Sequence, residues 1–172
     1  IPKKNILNLG QYPLIYYSIK TAKEFLKNKK GSIALSTDCN EIKKVARKYG
    51  VDTEYKRSEK LADDIAGKVD VIKDIFRYEE KKKNEKFDLL LDLDITSPLR
   101  TVKDLENALE ILLSDKKANN LFSVSPASRN PYFNMVEKRG KYFYKIKHTK
   151  NFKSRQSAPK VYDCNASFYF YN

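Results

Sequence analysis

The run Phe87-Asp88-Leu89-Leu90-Leu91-Asp92-Leu93 constrains this chain most. A nearly continuous apolar segment of strand length suits a parallel strand covered on both faces, because a strand wetted on one face would alternate. It predicts a strand central to a sheet, and its surroundings fit. Residues 13–29 place Leu14, Ile15, Ser18, Ile19, Ala22, Phe25 and Leu26 at helical spacing, with Pro13 near the first turn. A short strand at 32–37 follows Gly31. A second helix runs from Asn40, as N-cap, to Gly50, where a left-handed C-terminal residue is wanted. A short strand at 53–56, a helix at 61–80, a capping box from Thr101 to Asp104 opening another helix, and a strand at 121–125 continue the alternation. Connections too long for hairpins make the first two-thirds an α/β unit with a mostly parallel sheet. Beyond it, segments 132–137 and 141–147 flank Arg139-Gly140 as a hairpin, and 166–171 is a last aromatic strand.

At 172 residues, with 41% hydrophobic and 33% charged side chains and little Gly or Pro, the chain is expected to be one folded domain, 1–172, with a β-rich extension at 130–150. No apolar run approaches the ~18 residues that cross a bilayer, and no apolar leader opens the chain. Cys39 and Cys164 are too few for a disulfide framework. These features predict a cytoplasmic protein without a membrane partner. A net charge of +13 would attract nucleic acid, acidic lipid or a polyanionic small substrate, or it is a solvated lysine surface. Zinc-ligand spacing, a Walker loop, a dinucleotide glycine fingerprint and a nucleophile-elbow motif are all missing from the sequence.

Chemistry concentrates at Asp94-Ile95-Thr96-Ser97-Pro98-Leu99-Arg100. In α/β sheets ligands bind beyond the carboxyl ends of strands, which is where this segment falls. A carboxylate there can hold Mg²⁺, and a following Arg can face phosphate or carboxylate. The other reading is a strand-to-helix turn with a structural ion pair.

Several motifs occur in one order: Pro2, Lys4-Asn5, the segment from Tyr12 to Ile19, Ser36-Thr37-Asp38, Arg57 with Leu61-Ala62 and Asp64, Thr96-Ser97-Pro98-Leu99-Arg100, Arg155-Gln156, and Tyr162 to Asn165. In this the chain resembles the acylneuraminate cytidylyltransferases, the CMP-sialic acid synthetases and their relatives for legionaminic and pseudaminic acids. The resemblance implies a nucleotidyltransferase fold, three-layer and related to that of many glycosyltransferases. It implies transfer of CMP from CTP to the anomeric hydroxyl of a nonulosonic sugar acid, with release of pyrophosphate. Mg²⁺ or Mn²⁺ is the implied cofactor, a homodimer the implied assembly, and residues 132–146 the implied subunit contact. Nucleic acid is not an expected partner.

By the same resemblance, Lys4 faces the triphosphate and is catalytic, and Asn5, Arg57 and Asp64 bind the nucleotide. Arg155 and Gln156 serve activity and substrate binding. Asp94, Thr96, Ser97, Arg100 and Phe133 line the substrate site, with Asp94 the in-chain metal candidate and the main metal ligands expected beyond Asn172. The start of the nucleotide loop would precede Ile1, so the chain is expected to be a piece of a longer one.

Departures from the family pattern bear on the substrate. Asp94-Ile95 replaces Gln-Pro, Ser58 a Pro, Phe133 a Lys and Ala166 a Gly. Exchanging a Gln and a Lys for Asp and Phe changes the ligand's hydrogen-bond partners, which favours a legionaminic-type acid over N-acetylneuraminic acid. Two rivals remain in view. One is a synthetase for an eight-carbon 2-keto acid. The other is a nucleic-acid-binding module using Tyr142, Phe143, Tyr144 and Phe152 among lysines, a rival weakened because strand alternation should bury half of those aromatics. His148, the single histidine, reads as a surface residue.

Overall fold

Helix α1 (Leu14–Leu26) starts where Pro13, in extended conformation, can lead into it without giving up an N–H that the helix would use. It buries Ile15, Ser18, Ile19, Thr21 and Phe25. The computed structural model describes residues 1–58, 61, 67–147, 152 and 154–172. Contacts divide the chain into two compact units, Ile1–Phe122 with Ser167–Asn172, and Ser123–Ala166.

In the first unit, helix α2 (Asn40–Lys48) begins one residue earlier than expected. Asn40 is its first helical residue rather than its cap, and the preceding turn is closed by Cys39 N donating to Thr37 Oγ1 at 3.2 Å. Gly50 takes φ +74 and donates to Arg47 O, as an ending glycine should. Helix α3 (Lys68–Lys83) starts after Gly67 and ends at Asn84 with φ +49. The apolar period predicts a helix from 61; Gly67, in extended conformation, is where α3 is entered, and residues 62–66 of the expected helix lie outside the described residues. Helix α4 (Val102–Ser114) has both halves of its capping box, Asp104 N to Thr101 Oγ1 and Thr101 N to the Asp104 carboxylate.

Two apolar clusters hold this unit. One joins Phe25 of α1, Leu105, Ala108 and Leu112 of α4, and Phe168 and Phe170. The other joins Ile15 and Ile19 of α1, Ile42 and Ala46 of α2, and Val51, with Ile33 and Leu35 packed against it.

A short ribbon, β1 (Asn8–Leu9) with β2 (Tyr12–Pro13), precedes α1. Strand β3 (Leu90–Leu93) pairs antiparallel with β7 (Tyr162–Tyr171), Leu90 opposite Tyr171 and Leu93 opposite Phe168. With β4 (Asn120–Pro126), the order is β3-β7-β4.

The fold is therefore mixed α/β, with two departures from expectation. The pairings of β1 with β2 and of β3 with β7 are antiparallel, where a mostly parallel sheet was predicted. Among the described strands β7, not β3, is central. Segments 32–37 and 53–56 run without strand pairing, so among the described residues β3 has a ladder partner on one side only. Its Leu91 and Leu93 still pack on the core, which explains the apolar run.

In the second unit, β5 (Val136–Arg139) and β6 (Tyr142–Lys145) form the hairpin expected around Gly140, whose φ is +62. Buried Asn130 organises the approach to it. Its Nδ2 donates to Pro159 O, its Oδ1 accepts from Tyr132 N, and its own N donates to Asn134 Oδ1.

Candidate functional site

The turn after β3 is built around Asp94. Asp94 N donates to Ser167 O at 3.1 Å, continuing the β3–β7 register by one bond. Its Oδ1 accepts from Thr96 N at 2.7 Å and Thr96 Oγ1 at 2.6 Å, and Ser97 N reaches Asp94 O at 3.4 Å. This is an Asx turn, in which the carboxylate does the work of a backbone carbonyl. Burial pushes the Asp94 pKa up, but the two Thr96 hydrogen bonds and the charges of Lys68 and Lys4 outweigh it and leave it below the ordinary value. At neutral pH Asp94 is thus an ionised hydrogen-bond acceptor and a poor proton acceptor.

Arg100 turns inward. Its Nη2 donates to Ser18 Oγ at 2.5 Å and Asp94 O at 2.6 Å, and its Nη1 donates to Ser167 O. Beside this turn, Lys68 Nζ lies 2.6 Å from Asp92 Oδ2 and 4.6 Å from the centre of the Tyr169 ring.

The other candidates in this unit sit on separate loops. Lys4 is exposed and opens a short turn, Lys4–Ile6, anchored by Lys3 Nζ on the Glu41 carboxylate at 2.6 Å. Asn5 Oδ1 is buried and meets no hydrogen-bond partner among the described residues. Arg57 is held against Ser36, Nε to Oγ at 3.1 Å and Nη2 to O at 2.8 Å, so the Ser-Thr-Asp segment and Arg57 do come together. Asp64 lies outside the described residues, as do His148, Lys150 and Lys153.

In the second unit, Ser154 caps the short turn Arg155–Ser157, and Arg155 Nη2 donates to Ser128 O at 2.9 Å. Gln156 is exposed, and Phe133 is half-buried with its N on Asn130 O. Sequence reasoning singled out Asp94, Thr96, Ser97 and Arg100, which meet. It gave no site role to Ser18, Lys68, Asp92 or Ser167. The signal for Ser18 was a hydroxyl on the apolar face of α1, where the helical period asked for a hydrocarbon.

A family model for cytidylyltransferases matches residues 1–171. The chain belongs to the cytidylyltransferase family. Among curated proteins, this cytidylyltransferase is 40% identical over 171 residues to post-translational flagellin modification protein B of Campylobacter coli, covering 99% of this chain and 71% of that one. It is also 40% identical over 171 residues, with the same coverage, to the CMP-N,N'-diacetyllegionaminic acid synthase of Campylobacter jejuni. The pseudaminic acid cytidylyltransferase of C. jejuni is 32% identical over 175 residues, 99% of this chain and 72% of that one. A solved structure of a CMP:2-keto-3-deoxy-manno-octonic acid synthetase complexed with CTP superposes with a TM-score of 0.60 at 15% identity, covering 99% of this chain and 68% of that one. That likeness is one of fold.

The expected metal was tested against the donor set. Among the described residues no three His, Cys, Asp or Glu side chains cluster as a metal site. Asp92 faces Lys68, and Asp94 Oδ1 is taken by Thr96. These groups do not fit a resident Mg²⁺ or Mn²⁺ site. Likewise, no described helix is long and apolar enough to cross a membrane.

Proposed function

We propose that this cytidylyltransferase transfers CMP from CTP to the anomeric hydroxyl of a nonulosonic sugar acid, releasing pyrophosphate, and that the acid is of the legionaminic type. The observation carrying this reading is 40% identity across 99% of the chain to a CMP-N,N'-diacetyllegionaminic acid synthase. Both substrates are anions, and in-line attack at the α-phosphorus needs their charge neutralised and their groups oriented. Exposed Lys4 serves the triphosphate. Arg57, its guanidinium plane set by Ser36, serves the nucleotide with Asn5, whose buried Oδ1 awaits a donor. Asp94 accepts a hydrogen bond from a sugar hydroxyl, a task suited to a carboxylate that stays ionised. Arg155 and Gln156 are proposed as substrate-binding donors on the resemblance alone. Any Mg²⁺ would arrive with the phosphates of CTP.

On the same reading the protein is a cytoplasmic homodimer. The extended segments 32–37 and 53–56 complete a parallel, three-layer sheet, and both units form one cytidylyltransferase domain. The hairpin supports the dimer: Tyr142, Phe143 and Tyr144 are all exposed. The expected burial of half of these aromatics does not occur, so the sequence argument against a nucleic-acid surface falls away.

The deciding experiment measures pyrophosphate release from CTP and Mg²⁺ with N,N'-diacetyllegionaminic, pseudaminic, N-acetylneuraminic and eight-carbon acids. Release with the first acid and CTP alone is the expected result. A folded protein silent with all four, yet binding oligonucleotides with a steep salt dependence, would replace this reading with the nucleic-acid one.

A further inference from the structure

We propose that Arg100 is a positioning residue and not a ligand of either substrate: it clamps the main chain at the end of β3 so that the Asp94 carboxylate meets a sugar hydroxyl at a fixed place. The proposal rests on the function proposed above. An arginine that binds a substrate anion turns the outer edge of its fork toward the ligand. Here both terminal nitrogens are spent on protein oxygens from three elements: Ser18 Oγ of α1, Asp94 O after β3, and Ser167 O of β7. No terminal nitrogen is left for a fork-on contact with an anion, and the remaining donor, Nε, is buried with no partner among the described residues.

The result is that the main chain of Asp94 and one oxygen of its carboxylate are held, while Oδ2 is left to meet the sugar hydroxyl. The Asp94 N–H is on Ser167 O, its carbonyl accepts from Arg100 and, at 3.4 Å, from Ser18 Oγ, and its Oδ1 accepts from Thr96. Ser167 O itself serves both Asp94 N and Arg100 Nη1, which ties the placement of Asp94 to β7. Lysine at position 100 would keep the charge but could not span these oxygens, because a point ammonium lacks the planar fork.

The test is steady-state kinetics of the intact protein with CTP, Mg²⁺ and N,N'-diacetyllegionaminic acid, for Arg100→Lys, Ser18→Ala, Asp94→Asn and the double variant R100K/D94N. Misplacing a contact by a fraction of an ångström costs roughly tenfold or more. R100K should therefore raise KM for the acid or lower kcat by about tenfold while KM for CTP stays within about twofold. S18A should show the same pattern at about threefold, and R100K/D94N should be no worse than D94N.

A wild-type-like S18A beside an inactive R100K would make Arg100 a ligand and overturn the proposal, as would additivity in the double variant. So would a lowered Tm with unchanged kcat and KM, the mark of a merely structural arginine. A wild-type protein that turns over none of the acids would defeat the proposed function instead. The clamp is then read without substrate, by amide hydrogen exchange. R100K should speed exchange at Asp94 and Thr96 by about tenfold relative to Ile19, and unchanged exchange would overturn it.

Discussion

Strands β7 and β6 are both rich in aromatic side chains, and they treat them in opposite ways. Along the last residues of β7, Phe168 and Phe170 are buried while Tyr169 and Tyr171 are half-exposed. Along β6, Tyr142, Phe143 and Tyr144 are exposed in succession, Phe143 at 66%. Both strands alternate their side chains between two faces, as any strand must. What differs is the cover. Phe25 of α1 and Leu105, Ala108 and Leu112 of α4 lie on one face of β7, whereas among the described residues of its own unit the hairpin has no buried apolar cluster against it. Alternation in a sequence therefore says which residues share a face, and only a second layer decides whether that face is a core.

The sharpest way to break this contrast is Phe170→Ala. Phe170 is fully buried between helices, and removing a buried phenylalanine costs about 3–5 kcal/mol through lost transfer energy and the cavity left behind. In urea denaturation monitored by circular dichroism, the midpoint should fall accordingly. A loss below about 1 kcal/mol would mean that the α1–α4 cover does not hold β7.

The cover can also be loosened at its edge. Thr101→Ala removes the hydroxyl half of the capping box of α4, leaving the main-chain N–H on the Asp104 carboxylate, and should cost about 1 kcal/mol. It carries a pH signature as well. The backbone hydrogen bond from Thr101, followed by the one from its hydroxyl, lowers the Asp104 pKa in the folded protein. A carboxylate with a depressed folded pKa stabilises the fold above its unfolded pKa, about 4, and that contribution drains away as pH falls through the folded value. The stability gap between wild type and T101A should therefore be full at pH 7 and narrow below about pH 4. A gap independent of pH would show that the bond from Asp104 N to the Thr101 hydroxyl, and not the hydroxyl's bond to the Asp104 carboxylate, carries the cap.

That capping box, α1, the hairpin at Gly140 and the turn at Gly50 were legible because each is set by residues close in sequence. The paired strands were harder. Segment 32–37 has strand composition, yet pairing is a property of two segments, and local pattern shows one. Of the helix expected over 61–80, residues 62–66 lie outside the described residues, and the entry to α3 at Gly67 was not legible because the effect of that glycine lies in its backbone. Of the site, the Asp94 turn was legible through its residue types and its place after an apolar run. The inward direction of Arg100 was not, since nothing near it in sequence reveals that Ser18 and Ser167 converge on it from 82 and 67 residues away.

Where β7 passes from one unit to the other, Ala166 sits at φ +57, a left-handed conformation that costs a residue with a Cβ about 1–2 kcal/mol. The expectation that an alanine here tightens the backbone acquires a concrete form. Ala166→Gly removes that strain but gives the unfolded chain extra freedom worth about 0.5–1 kcal/mol. The net should be a gain of about 0.5 kcal/mol, read as a small rise in Tm. A fall would mean that the alanine methyl contributes packing that outweighs the strain.

The smallest effect on stability belongs to the uncovered strand. Phe143→Ala deletes a large apolar side chain that is already mostly in water, so the fold should change by no more than about 0.5 kcal/mol. The contrast with Phe170 is then nearly an order of magnitude for the same chemical change. If the hairpin is a subunit contact, the cost appears elsewhere: light scattering at micromolar concentration should show the wild type as a dimer and F143A shifted toward monomer, because a central aromatic anchor carries a disproportionate share of an interface. A wild type that is monomeric throughout would leave β6 without a covering subunit. A dimer indifferent to F143A would place the contact on another face. In either case the exposed aromatics of β6 would need a different occupant, and oligonucleotide binding at low salt is the next measurement, since stacking platforms among lysines are what such a ligand would use.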